Sequence, residues 1–112
     1  MVAFYIPDRG DIVWLDFSPQ RGREQVGIRP ALVISPKAYN QRSELMLACP
    51  ITSKIKGYPF EVRVKAGEID GVILADQVKS LDWKIRKPKK AVVASSEVVD
   101  QTQLLIEMLL KT

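Results

Sequence analysis

The sequence predicts a small, mainly β or α+β domain that ends in a single helix, and three observations support this class. Apolar and polar residues alternate, or form short apolar runs, in several segments separated by turn-forming residues. One amphipathic segment with helical spacing lies at the C-terminal end. No strand–helix–strand rhythm typical of a parallel sheet is present. We therefore expect one domain over residues 1–112, most simply a small barrel, although periodicity alone cannot fix the strand order.

The apolar patterns predict six short strands. Residues 45–51 are apolar almost throughout, which indicates a strand buried on both faces. In residues 11–17, by contrast, Val13, Leu15 and Phe17 face one way and the intervening residues the other, which indicates a half-buried strand. Short helical turns are expected at 35–40, with Ser35 as the N-cap, and at 76–82. The predicted strands cover residues 11–17, 31–34, 45–51, 60–65, 71–75 and 91–94.

The C-terminal segment has both the termini and the apolar stripe of an amphipathic helix. Ser95 or Ser96 is placed to cap it, and Glu97 in the first turn and Lys111 at the end suit the helix dipole. The stripe must be covered by the sheet or by a partner, and the protein's own core is the simpler expectation. Its residues are Val98, Val99, Thr102, Leu105, Ile106, Leu109 and Leu110.

The chain contains no histidine, and this excludes more chemistry than any other feature of the composition. A Ser-His-Asp triad, a histidine proton shuttle and an imidazole zinc site cannot be built. The single cysteine, Cys49, excludes an internal disulfide, and its apolar surroundings predict a small buried side chain rather than a nucleophile. Any catalysis must use carboxylates, Arg, Lys, Tyr, hydroxyls or backbone groups.

The net charge of +4 and the pI near 9.3 permit a polyanionic partner without requiring one. The segment 84–90 places five cations in seven positions. Such a segment either grips phosphates, with an affinity that falls as salt rises, or is a solvated loop. The sequence contains neither a secretory signal nor an apolar run that approaches the ~20 residues of a membrane helix. We therefore expect the protein in the cytoplasm.

The most informative stretch lies at residues 22–35, where a polar loop runs into an apolar strand. Proline lacks an N–H and suits the first position of a strand, and Pro30 biases Arg29 towards an extended backbone. This arrangement holds the guanidinium of Arg29 and the carboxylate of Glu24 at the mouth of a loop, against a rigid sheet.

The pattern Glu-Gln-x-Gly-x-Arg-Pro-Ala-x-Val-x-Ser at residues 24–35 resembles the signature of the MazF/PemK family of toxin endoribonucleases. Three further blocks agree with that family in order and spacing, and together they cover the chain from Pro7 to about Trp83. These blocks are Gly-Asp-Ile-Val-Trp at 10–14, Pro-Ile-Thr-Ser at 50–53 followed by Lys-Gly-Tyr-Pro-Phe at 56–60, and Ala-Asp-Gln-Val-Lys-Ser at 75–80.

The resemblance implies an SH3-like barrel with the terminal helix packed on it, in a symmetric homodimer. It also implies a sequence-specific, metal-independent endoribonuclease that needs no cofactor. Such an enzyme cleaves single-stranded mRNA to 2′,3′-cyclic phosphate and 5′-hydroxyl ends. The implied partner is a MazE/PemI-like antitoxin whose disordered, acid-rich tail folds on binding.

Three residues are expected to carry this chemistry. The resemblance places the catalytic Arg of the family at Arg29, whose planar guanidinium suits phosphate oxygens; the alternative is an ion pair with Glu24. It places the catalytic Thr at Thr52, with Ser53 as a substitute donor; the alternative is a strand-end threonine bonded to nearby backbone. Glu24 is the candidate general base, or else a solvated loop carboxylate.

Four further residues are expected to bind RNA. Lys54 and Lys56 are placed to meet phosphates, Gln77 to read a base edge through its amide, and Phe17 to stack on a base.

Two other functions remain open at this stage. A basic barrel could hold single-stranded RNA without cutting it. A CcdB-like gyrase inhibitor shares the expected fold, but those toxins act through a tryptophan close to the C-terminus, and the last tryptophan here is Trp83.

Overall fold

The computed structural model describes residues 5–18 and 27–111, and these ranges contain seven strands and three α-helices. The strands are β1 (Asp11–Asp16), β2 (Ile28–Val33), β3 (Leu45–Thr52), β4 (Glu61–Ala66), β5 (Ile69–Leu74), β6 (Lys79–Asp82) and β7 (Lys89–Val93). The helices are α1 (Lys37–Ser43), α2 (Trp83–Arg86) and α3 (Ser96–Lys111), and one turn of 3-10 helix covers Ala75–Gln77.

The strands form an antiparallel sheet in the order β4-β5-β3-β2-β1-β7, with β6 paired to β3 outside this path. One edge of β3 pairs with β2, while its other edge pairs first with β6 and then, through Ile51 and Thr52, with β5. Because β3 exchanges one neighbour for another along the same edge, the sheet curls into a barrel-like shape. The predicted class, mainly β with a C-terminal helix, is confirmed.

The two faces of β1, β2 and β3 bury different cores, as the alternation in β1 predicts. One face forms a cluster that includes Val13, Leu15, Phe17, Ala31, Val33, Met46, Ala48, Leu81 and Trp83. The opposite face forms a second cluster with β4, β5 and α3, and Ile12, Leu32, Cys49 and Ile51 belong to it. We call the first face the inner face, because the candidate site lies on it.

Helix α3 begins as predicted but covers the core with only part of its apolar stripe. The hydroxyl of Ser95 accepts the backbone N–H of Val98 at 3.3 Å, which is an N-cap contact. Val99 and Thr102 are buried, and Val98, Leu105 and Ile106 pack against the second cluster. Four apolar side chains of the helix remain exposed on the described chain: Leu104, Met108, Leu109 and Leu110.

Local structure differs from the prediction at two places. Ser35 does not cap α1, because the N-cap residue is Pro36. The Ser35 hydroxyl instead donates to Asn40 Oδ1 at 2.6 Å and accepts the N–H of Leu47 at 2.8 Å. The predicted helical turn at 76–82 is wrong beyond Gln77, because β6 pairs with β3 from Leu45 to Ala48. Ladder hydrogen bonds and the burial of Leu81 outweigh the local preference for a turn.

The predicted basic loop at 84–90 also proved more ordered than expected. It contains most of α2 and the start of β7. None of the described helices is long and apolar enough to cross a membrane.

Candidate active site

The register of the central strands brings the two main candidates together. β2 pairs with β3 so that Ala31 lies opposite Pro50 and Val33 opposite Ala48. The paired segment ends at Ala31 and Pro50, and the same antiparallel register continued by two residues would place Arg29 opposite Thr52. Directly opposite residues point to the same face, with Cβ atoms about 4.5–5.5 Å apart. By alternation along β2 and β3, Arg29 shares the inner face with Ala31 and Val33, and Thr52 shares it with Ala48.

Arg29 lies on β2 and is paired with the neighbouring strand β1. It is half-buried and pairs with Leu15 of β1, so its side chain leaves the sheet on the inner face beside an apolar floor. Pro30 lies opposite Trp14 and points to the other face. A guanidinium partly shielded from water interacts more strongly with an anion than one in bulk solvent.

Thr52 is buried, with 6% of its surface exposed, and ends β3. Its Oγ1 accepts the N–H of Lys54 at 3.2 Å. The local backbone bond that the sequence left open is thus present, but it uses an acceptor lone pair and leaves the hydroxyl proton for a phosphate oxygen. Gly71 of β5 allows this position, because a Cβ there would lie 2.2 Å from the carbonyl oxygen of Thr52.

Lys54 and Lys56 are exposed in the segment 53–60, which follows Thr52 directly and which we call the β3–β4 loop. The carboxylate of Glu61 fixes this loop by accepting the N–H groups of Lys56 at 3.2 Å and Gly57 at 3.0 Å. Gly57 has φ +79°, which few other residues adopt. The loop therefore presents its two ammonium groups from a constrained backbone.

Phe17 does not occupy the place expected for a stacking residue. Its ring is fully buried in the inner cluster, so no face of it is open to a base in this conformation. The ammonium of Lys79 lies 5.8 Å from the ring centroid, and Lys79 shares the inner face because it pairs with Ala48. A base could stack on Phe17 only after the residues that cover its ring had moved.

Gln77 is partly buried, and its Oε1 is a buried side-chain acceptor without a hydrogen-bond partner among the described residues. An unpaired buried amide oxygen costs free energy unless a ligand or water satisfies it. Gln77 is therefore suited to accept a hydrogen bond from outside the chain.

Known proteins with a similar fold and a related sequence show the family to which this chain belongs. The sequence profile described as "PemK-like, MazF-like toxin of type II toxin-antitoxin system" matches residues 8–110. The chain belongs to the PemK/MazF toxin family. The endoribonuclease toxin MazF of Escherichia coli K12 is 52% identical over 99 residues, which cover 88% of this chain and 89% of that protein.

Solved structures agree with that assignment. The crystal structure of MazF from Deinococcus radiodurans has a TM-score of 0.91 and 49% identity, and it covers 96% of this chain and 99% of that one. A MazE–MazF complex from the same organism has a TM-score of 0.86 and 49% identity, with 96% and 98% of the two chains covered.

One candidate of the family pattern, Glu24, lies outside the described residues, so its predicted role as general base stays a prediction. The segments on either side are described. The N–H of Phe17 donates to the carbonyl of Gly27 at 3.0 Å, which brings the two ends of this connection together.

Three of the five cations at 84–90 contact acceptors within the protein, and whether the segment also binds RNA stays a prediction. Lys84 pairs with Glu44 at 2.6 Å, and Lys90 lies 3.7 Å from the buried carboxylate of Asp11. Arg86 donates to the backbone carbonyls of Asp16 at 2.5 Å and Ser18 at 3.1 Å. Most of this segment's charge is therefore used within the protein.

Two residues beside the site were missed from the sequence, Lys79 and Arg86. A strand predicted at residues 79–82 would have placed Lys79 on the same face of the sheet as Leu81. No sequence signal indicates that Arg86 reaches a carbonyl 70 positions away.

Cys49 is buried as predicted. Burial, with a smaller effect of the Asp76 charge, raises the pKa of its thiol to about 12, so it is no nucleophile at neutral pH.

Proposed function

We propose that this protein is the toxin of a toxin–antitoxin pair, a metal-independent endoribonuclease that cleaves single-stranded mRNA and so inhibits translation. The observation that carries the proposal is membership of the PemK/MazF family, and it is supported by the β2–β3 register, which when continued by two residues would set Arg29 opposite Thr52. The curated relatives named as endoribonucleases support the reaction class.

The reaction uses the substrate's own nucleophile. The ribose 2′-hydroxyl loses its proton and its oxygen attacks the adjacent phosphorus, which forms a pentacoordinate phosphorane. The P–O5′ bond then breaks, and the 5′-oxygen takes up a proton. The products are a 2′,3′-cyclic phosphate and a 5′-hydroxyl. Such a reaction needs a proton acceptor, stabilisation of charge on the phosphorane oxygens, and assistance to the leaving oxygen.

The side chains at the site match these needs. Arg29 offers a permanently charged fork to two phosphorane oxygens, and the Thr52 hydroxyl donates to one of them. Glu24 remains the candidate for the proton acceptor. Lys54 and Lys56 meet flanking phosphates, and the unpaired amide oxygen of Gln77 accepts from a base edge. Because its ring is buried, Phe17 can stack on a base only after the residues that cover the ring have moved.

The proposed partners are an antitoxin and a second copy of the chain, in the cytoplasm. Structures described as MazE–MazF complexes, at 43–49% identity, support the antitoxin. The exposed apolar side chains of α3 are available for an interface with a second copy.

The function is tested by incubating the purified protein with a long RNA of known sequence in excess EDTA, then mapping the cut sites and the end groups. We expect cuts at one short sequence, with 2′,3′-cyclic phosphate and 5′-hydroxyl ends. Retention of the RNA in a gel shift without any cleavage would favour a binding module instead. Inhibition of DNA supercoiling by gyrase would favour the CcdB-like alternative.

A further inference from the structure

We propose that Tyr58 is a stacking platform for a nucleobase of the substrate, and that Glu61 is the residue that positions it. This inference rests on the proposed function, since it concerns how the same RNA is held. Neither residue has a role in the chemistry described above.

The exposure of Tyr58 is the first observation. The residue is 60% exposed, in the β3–β4 loop that begins at Thr52. Ile55 of the same loop is 54% exposed, so the loop presents apolar surface beside its two lysines. Aromatic side chains combined with cations are what proteins use to hold single-stranded RNA, because every base has a face that can stack.

The rigidity of the turn is the second observation. The N–H of Glu61 donates to the carbonyl of Tyr58 at 3.1 Å, and Pro59 lies between them in this turn. The Glu61 carboxylate also accepts the N–H groups of Lys56 and Gly57, immediately before Tyr58. A carboxylate close to bound RNA repels the phosphates. Both oxygens of Glu61 are instead used to accept backbone N–H groups, which fixes the turn. A ring presented from a fixed turn loses less conformational entropy on binding.

The surroundings of the ring favour RNA over other ligands. The ammonium of Lys56 lies 5.8 Å from the ring centroid, so a base on the ring would bring its phosphate near a cation. The loop starts at Thr52, whose hydroxyl accepts the N–H of Lys54. Six residues of chain span at most about 20 Å, so Tyr58 lies within reach of a nucleotide that flanks the one being cut.

The test compares three substitutions at the same position: Tyr58→Phe, Tyr58→Leu and Tyr58→Ala. Each is titrated with an RNA oligonucleotide that carries a single 2′-deoxy nucleotide at the mapped cut position, so that binding is measured without cleavage. We expect Phe to bind within about twofold of the wild type, while Leu and Ala weaken binding by roughly 5- to 100-fold, the range for loss of one stacked base. With cleavable RNA, KM should rise and kcat change little.

The Leu variant separates stacking from general apolar contact, since it keeps a large apolar side chain without a ring face. Equal binding by the Leu variant and the wild type would overturn the proposal. So would a Tyr58→Ala variant that binds RNA normally but binds the antitoxin weakly, because the ring would then serve a protein partner. Glu61→Gln, which keeps one acceptor oxygen, is expected to weaken RNA binding less than Glu61→Ala.

Two further measurements, RNA cleavage by the wild type and thermal unfolding of each variant, keep this test independent of the proposed function. The wild type is assayed for cleavage in the same series. A wild type that binds RNA but never cuts it contradicts the proposed reaction; unmodified RNA then replaces the 2′-deoxy oligonucleotide in the titrations, and the stacking comparison is still made. Thermal unfolding of each variant should match the wild type, since the ring is mostly exposed.

Discussion

The β3–β4 loop carries two lysines and the segment 84–90 carries five cations, yet the structure uses their charges in opposite ways. In the β3–β4 loop the protein binds backbone groups through Glu61 and leaves the ammonium groups of Lys54 and Lys56 at the surface. In the segment 84–90, Lys84, Arg86 and Lys90 each contact an acceptor elsewhere in the protein. A count of positive charges therefore does not identify an RNA-binding surface; the availability of those charges does.

The difference follows from where each segment begins. The β3–β4 loop leaves the end of the central strand beside Thr52, and Glu61 holds it through backbone N–H groups. Segment 84–90 is fixed at its start by Trp83, which is buried and whose indole N–H donates to the carbonyl of Asn40 at 2.8 Å. Asp82 caps α2 by accepting the N–H of Ile85 at 3.0 Å. Cations on such a fixed turn reach carboxylates and carbonyls of their own chain.

Among substitutions in these two segments, the largest effect is expected from removing the two available lysines together. The Lys54→Ala/Lys56→Ala variant should raise KM for RNA by roughly 10- to 100-fold, because two phosphate contacts are lost. The slope of log affinity against log salt should become shallower by about 1.4, at about 0.7 for each phosphate of a single strand. An unchanged slope, measured between low and physiological salt, would show that these lysines do not meet phosphates.

A smaller effect, of a different kind, is expected at Arg86. Its two bonds hold the carbonyls on either side of Phe17, close to where the connection to Arg29 begins. Arg86→Ala should lower kcat by about tenfold through misplacement of the site, with the salt slope unchanged. Arg86→Lys is the matched control, since it keeps the charge but not the fork. Wild-type activity in the Lys variant, together with a shallower salt slope in the Ala variant, would assign Arg86 to phosphate binding instead.

The smallest effect is expected from the remaining cations of segment 84–90. Lys87 and Lys89 are exposed, and Lys89 lies on β7 opposite Trp14, on the face of the sheet away from the candidate site. The Lys87→Ala/Lys89→Ala variant should keep KM for RNA within about twofold of the wild type. Exposed charges remote from the candidate site are largely screened at physiological salt. A loss as large as that of the Lys54/Lys56 variant would remove the distinction between the two segments.

Patterns that depend on near neighbours were predictable from the sequence. Alternation in 11–17 correctly assigned Val13, Leu15 and Phe17 to one buried face, because a strand exposes its faces with period two. Caps and apolar spacing also located α3. The order of strands was not predictable, because pairing between distant segments depends on contacts that no local pattern records.

The candidate site was predictable only in part, for the same reason. The family pattern predicted Arg29 and Thr52, but how close they lie depends on the register between β2 and β3, which no local pattern records. Phe17 was assigned to a base from its chemistry, although the same alternation that continues from β1 through residue 17 also buries it. Lys79 and Arg86 were missed because β6 and the bonds of α2 are formed by long-range contacts.

The account depends most on Arg29, and single-turnover cleavage by Arg29→Ala tests it most directly. The reaction is run with saturating RNA in EDTA, with Arg29→Lys as the charge-matched control and thermal unfolding as the check on folding. We predict that cleavage by the Ala variant falls by about 10²- to 10³-fold, the scale for loss of one transition-state donor, while the unfolding midpoint stays close to that of the wild type. A folded Ala variant that cuts RNA within about threefold of the wild-type rate would contradict the account, since that is far less than one such donor contributes.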